Sequence, residues 1–105
     1  MNVLAINHIE TCLDGTIVLS FELDRVVDSD LVRRLAIGRH LQRLADLPRP
    51  FYRIRNGIEW ECKGIEGELN MRVMLKRDHD NNQATIIALL AMDNNITQRI
   101  ADHFE

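Results

Sequence analysis

The stretch Tyr52-Arg53-Ile54-Arg55-Asn56-Gly57-Ile58-Glu59-Trp60-Glu61-Cys62 decides the fold. Apolar side chains at 52, 54, 58, 60 and 62 alternate with charged or polar ones, the period-two signature of strands with one buried face. Asn56-Gly57 interrupts the alternation, and glycine supplies the positive φ that a tight antiparallel turn requires. A three-residue loop of Arg55, Asn56 and Gly57, a type I turn with glycine at the left-handed position, pairs Tyr52 with Trp60 and Ile54 with Ile58. A two-residue Asn-Gly loop sets Arg53 opposite Trp60 instead and is rejected.

Downstream, a Gly64-Ile65-Glu66-Gly67 loop places Cys62 against Leu69, Trp60 against Met71 and Ile58 against Val73, all on one face. On the other face the same registers bring Arg53 to Glu59, Lys63 to Glu68 and Arg72 to Glu59. Asp78-His79-Asp80-Asn81-Asn82 then reads as a hairpin turn into a strand over residues 84–92. Its Ile86, Ile87, Leu89, Leu90 and Met92 put apolar groups on both faces, as in a strand covered twice. Asp93-Asn94-Asn95 caps a short final helix with the stripe Ile96, Ile100 and Phe104.

Upstream, residues 3–9 and 16–23 flank a Leu13-Asp14-Gly15 turn, with Ile17, Leu19, Phe21 and Leu23 as the buried face of the second strand. A two-residue Asp14-Gly15 loop sets His8 and Glu10 beside Leu19 and Phe21, so a bulge is expected in the first strand. Asp28-Ser29-Asp30 supplies helix-capping chemistry, and the helix is expected over residues 31–45, stopped by Pro48 and Pro50. Leu31, Leu35, Ile37, Leu41, Leu44 and Ala45 form its apolar arc, with Gly38 on the buried side allowing close approach to the sheet. Arg33, Arg39, His40 and Arg43 project outward as a basic face, and Arg34 flanks the arc.

The expected architecture is a single α+β domain over residues 1–105, a two-layer fold. A mainly antiparallel six-stranded sheet, in the element order β-β-α-β-β-β-β-α, carries both helices on its Trp60/Met71/Val73 face. The far face stays open, with a charge ladder at one end and, at the other, an apolar patch of Met74 with Ile87 and Leu89, or with Ile86 and Leu90 in the alternative register of the last hairpin. Such a patch reads as an interface, so a homodimer is expected through that face or the edge of the sheet.

Composition bounds the function. A chain of 105 residues, 46% apolar and 28% charged, supports one core and is no disordered tail. Cys12 and Cys62 form no disulfide framework or zinc spacing. The start Met1-Asn2-Val3-Leu4-Ala5-Ile6 has no basic n-region, and no run reaches the roughly 20 apolar residues of a membrane span. A cytoplasmic protein without membrane contact is expected.

Catalytic signals are weak: Ser20 and Ser29 lie in no nucleophile elbow, and Cys62 alternates onto the buried face. The alternate oxygens after Asp78 resemble a calcium loop, yet Gln83 stands where glycine is needed and Leu89 where a bidentate Glu is needed. His8, His40, His79 and His103 fall on separate elements. No metal or cofactor is expected, and the reading leans away from an enzyme.

The charge distribution is the one strong hint of a partner. Seven of thirteen basic residues lie between Arg33 and Arg55, all arginine, in a chain of net charge −3. From residue 31 to 55 the balance is seven arginines against Asp46, or +6, which leaves −9 for the rest. A solvated face paired with this chain's own acids accounts for such a cluster. The functional alternative is an accessory protein that contacts an acidic protein partner through Arg33, Arg39, His40 and Arg43 or through the open sheet face. RNA binding or cleavage by the same arginine face is the second reading, disfavoured by the net negative charge and only five aromatics.

Overall fold

The computed structural model describes residues 1–104, with side chains through Met92. Six strands form one antiparallel sheet: β1 (Val3–Thr11), β2 (Ile17–Leu23), β3 (His40–Leu44), β4 (Phe51–Asn56), β5 (Trp60–Ile65) and β6 (Asn70–Leu75). Helix α1 (Ser29–Leu35) lies between β2 and β3, and α2 (His79–Phe104) follows β6. The spatial order is β1-β2-β6-β5-β4-β3. The link through α1 carries the chain from β2 to the far edge, and the meander β3 to β6 returns to pair with β2.

Alternation builds the core. Leu19, Phe21, Tyr52, Ile54, Trp60, Cys62, Met71, Val73 and Leu75 all leave the sheet on one side and are buried there. Leu31, Val32 and Leu35 of α1 and Ile86 and Leu90 of α2 close over them. The helices also touch each other, α1 packing on β4 and α2 on β6. The two-layer α+β arrangement with both helices on one face is therefore the observed one.

Three local expectations are corrected. The helix expected over residues 31–45 ends at Leu35. Asp28 caps its start by accepting from the Leu31 amide at 2.8 Å, and Gly38, at φ +72°, turns the chain out of it. The residues from His40 onward then pair as edge strand β3, so Arg33, Arg39, His40 and Arg43 do not share a helix face.

Residues 84–92, expected as a strand, belong to α2. Ile86, Ile87, Leu89 and Leu90 span one arc of a 3.6-residue helix, which is also how apolar groups look when assigned to two faces of a strand. Asp78, at φ +44°, immediately precedes this helix where a hairpin turn was expected, and Asp93-Asn94-Asn95 lies within it. Its expected stripe of Ile96, Ile100 and Phe104 lies outside the described side chains. The patch of Met74, Ile87 and Leu89 is consequently divided: Met74 faces away from the helices, whereas Ile87 and Leu89 pack on the core.

The registers also differ. Tyr52 pairs with Gly64 and Ile54 with Cys62 around a loop of residues 57–59, while Trp60 pairs with Leu75 and Cys62 with Val73. In β1 the expected bulge is present between His8 and Glu10, with another between Val3 and Ala5.

Candidate functional site

The open face of the sheet gathers the cations. Across β3 to β6 and on to β2, the pairing aligns Gln42, Arg53, Lys63, Arg72 and Ser20 in one row. The next row is His40, Arg55, Glu61, Met74 and Val18. Four cations thus meet a single carboxylate on β3 to β6. Directly opposed side chains on neighbouring strands lie about 5 Å apart at Cβ, so Arg53, Lys63 and Arg72 repel one another. The expected pairings of Arg53 with Glu59 and Lys63 with Glu68 are replaced by this like-charged row.

Glu61 is the local counterion. Its side chain is 3% exposed and ion-pairs with the Nε of Arg53; the Nε of Arg55 lies 3.4 Å from the same oxygen. One carboxylate between two guanidiniums leaves a net positive charge. Neither the Lys63 nor the Arg72 side chain has a hydrogen bond or ion pair among the described residues. Beside them runs a groove of about 540 Å³, lined by Ser20, Phe51, Gly64, Ile65 and Asn70 together with Lys63, Arg72 and the carboxylate of Glu68, which Arg49 pairs.

The four site residues read from sequence separate. Arg33 stays on the outside of α1, 69% exposed and 4.0 Å from Asp30. Arg43 turns to the helix side of edge strand β3 and binds Glu66 bidentately at 2.9 and 3.0 Å, which raises the Arg43 pKa. Arg39 follows α1 in the turn to β3, where its Nη1 donates to the carbonyls of Leu35 and Ile37 and its guanidinium stacks 5.2 Å from the Trp60 ring centroid. His40 opens β3 on the open face, opposite Arg55. Arg49, in the proline loop, ion-pairs with Glu68 at 2.7 Å.

The missed residues are Lys63 and Arg72, with Arg53 and Arg55 beside them. Strand alternation alone puts all four on the face opposite Tyr52, Trp60 and Met71. Only the register tells which neighbours they meet. The thiols offer little chemistry: burial pushes Cys62 far above its ordinary value, while desolvation and then Glu10 and Asp14 raise Cys12. Among the described residues no cluster of three or more His, Cys, Asp or Glu side chains forms. No helix there is long and apolar enough to cross a membrane. No family model, curated protein or solved structure matches the chain.

Proposed function

We propose that the protein is a small non-enzymatic binding module that holds an acidic protein partner against the open face of its sheet. The observation that carries this reading is the row Arg53, Lys63 and Arg72, three adjacent cations with one buried carboxylate to serve them. Such a row is destabilising by itself and becomes favourable when an anionic surface covers it. The groove beside it adds Phe51 and Ile65, so a partner there buries apolar area as well as charge.

An acidic protein suits this face better than RNA. Phe51 is the sole described aromatic on it; Phe21, Tyr52 and Trp60 are buried beneath the helices, so no platform for stacking several bases exists.

Fluorescence anisotropy with a glutamate-rich peptide and a single-stranded RNA of equal charge tests the reading. The peptide is expected to bind in a salt-sensitive way, and Lys63→Glu combined with Arg72→Glu to weaken it more than about tenfold with the circular dichroism unchanged. Preference for the RNA, or unaltered peptide binding by the double variant, overturns it.

A further inference from the structure

On the open face, the row next to Gln42, Arg53, Lys63 and Arg72 is apolar. Leu44 pairs with Phe51 and Phe51 with Ile65, so these three stand together, two residues along their strands from the cations. That step separates the rows by about 7 Å. Leu44 is 49% and Ile65 39% exposed, and Phe51 is half-buried. Phe51 and Ile65 line the same groove as Lys63 and Arg72, so apolar and cationic groups border one surface. The carboxylates nearby are already engaged. Glu68 pairs with Arg49, and Glu22, opposite Asn70, accepts from the Asn7 carboxamide at 3.3 Å.

The cations have a spacing that selects their partner. Arg53, Lys63 and Arg72 stand on three adjacent strands, about 4.8 Å from one strand to the next. One turn of α-helix advances about 5.4 Å, so a helix laid across the strands brings residues one turn apart over successive cations, about 1 Å out of step after two intervals. An extended segment on the same line repeats a face every ~6.8 Å and falls about 4 Å out of step. Laid along β5 instead, either segment meets Glu61 and Ile65 on the two sides of Lys63 rather than further cations. A helix about 10 Å wide also covers the cationic and apolar rows together. A second copy of the chain is a poorer occupant, since a symmetric contact through this face sets basic row against basic row. A groove admits a ridge of side chains, which a flat bilayer surface does not supply.

We propose that the segment which binds this face is an amphipathic α-helix of a partner protein, lying across the strands. Its acidic side chains, one turn apart, sit over Arg53, Lys63 and Arg72, and its apolar flank sits over Leu44, Phe51 and Ile65. Lys63 and Arg72 carry most of the attraction, because Arg53 already shares Glu61 with Arg55. The inference rests on the reading that the open face binds an acidic protein, and it adds the form of the segment and its direction on the sheet.

Fluorescence anisotropy of the full chain with two labelled peptides of equal length and composition tests it. One carries glutamates at i, i+4 and i+7 with leucines beside them on the same side of the helix; the other has the same residues shuffled around the helix. The first is expected to bind about tenfold tighter and to be helical by circular dichroism when bound. Ile65→Ser and Leu44→Ser, both at exposed positions, are each expected to weaken the first several-fold and to leave the second unchanged. Lys63→Glu combined with Arg72→Glu weakens both peptides. Equal affinities, a bound peptide without helix, or parental binding of the first peptide by both serine variants overturns the helix, and the acidic-partner reading stands if the double charge variant still weakens binding. Absence of binding by either peptide overturns both. Phosphatidylserine vesicles are expected not to displace the first peptide, and displacement assigns the face to a membrane surface and overturns the helix.

Discussion

At the scale of single residues, Gly64 and Tyr52 depend on each other. Gly64 reads in sequence as a turn glycine, yet it lies inside β5 opposite Tyr52, and a Cβ there would stand 2.7 Å from the Tyr52 hydroxyl. A strand glycine that admits a neighbouring ring is a tertiary requirement, invisible in the local pattern. The hydroxyl is buried without a hydrogen-bond partner, and burial keeps it protonated by raising its pKa well above that of an ordinary phenol. Removing an unsatisfied buried group relieves its desolvation cost. Tyr52→Phe is therefore expected to stabilise the fold by about 1 kcal/mol in urea denaturation. Gly64→Ala is expected to cost about 2 kcal/mol, partly recovered in the Tyr52→Phe background, because the closest contact is gone. Equal losses in both backgrounds would refute this coupling.

At the scale of elements, the division of residues 29–44 into α1 and β3 turns on Gly38. A continuous apolar arc over residues 31–45 is readable in the sequence, and nothing local forbids the longer helix. The observed break has Gly38 in the left-handed region, Arg39 donating to the carbonyls of Leu35, the last helical residue, and of Ile37 beyond it, and β3 pairing along β4. The ladder and the Trp60 contact supply what the lost helical turns would have. Gly38→Ala is expected to lower stability by about 1 kcal/mol, and Gly38→Asn by less, since Asn tolerates positive φ. Thermal unfolding of the pair checks this, and equal midpoints would argue against a backbone origin. The opposite misreading occurs at residues 84–92, where Thr85, Ile86 and Ile87 favour a strand locally while α2 buries Ile86 and Leu90 one turn apart.

At the scale of the whole molecule, the sheet ends in two different edges. β3 is short, and its Arg43 is tied to Glu66 across the meander. β1 is nine residues long and exposes Leu4, Ile6 and Ile9 along a free edge. Its two bulges leave regular pairing over residues 5–8 and 10–11 and blunt the edge against strand addition. The exposed Leu4, Ile6 and Ile9 favour a homodimer through this edge while the bulges oppose strand addition, so the proposed dimer is a matter for experiment. Sedimentation velocity at micromolar concentration is expected to show a dimer that Ile6→Lys dissociates; a monomeric parent chain would refute it. Among these residues the sequence alone determined which side chains share a face. Alternation puts Tyr52, Ile54, Trp60, Cys62, Met71 and Val73 together, and the hairpin registers read from sequence kept that parity because they slipped by an even number of residues. The antiparallel meander and the α+β class followed from it. What only the tertiary structure decided is who stands next to whom. Register depends on where each loop closes, and that is set by long-range packing such as the Tyr52 ring over Gly64. The basic row across β4 to β6 therefore exists only once the sheet is assembled.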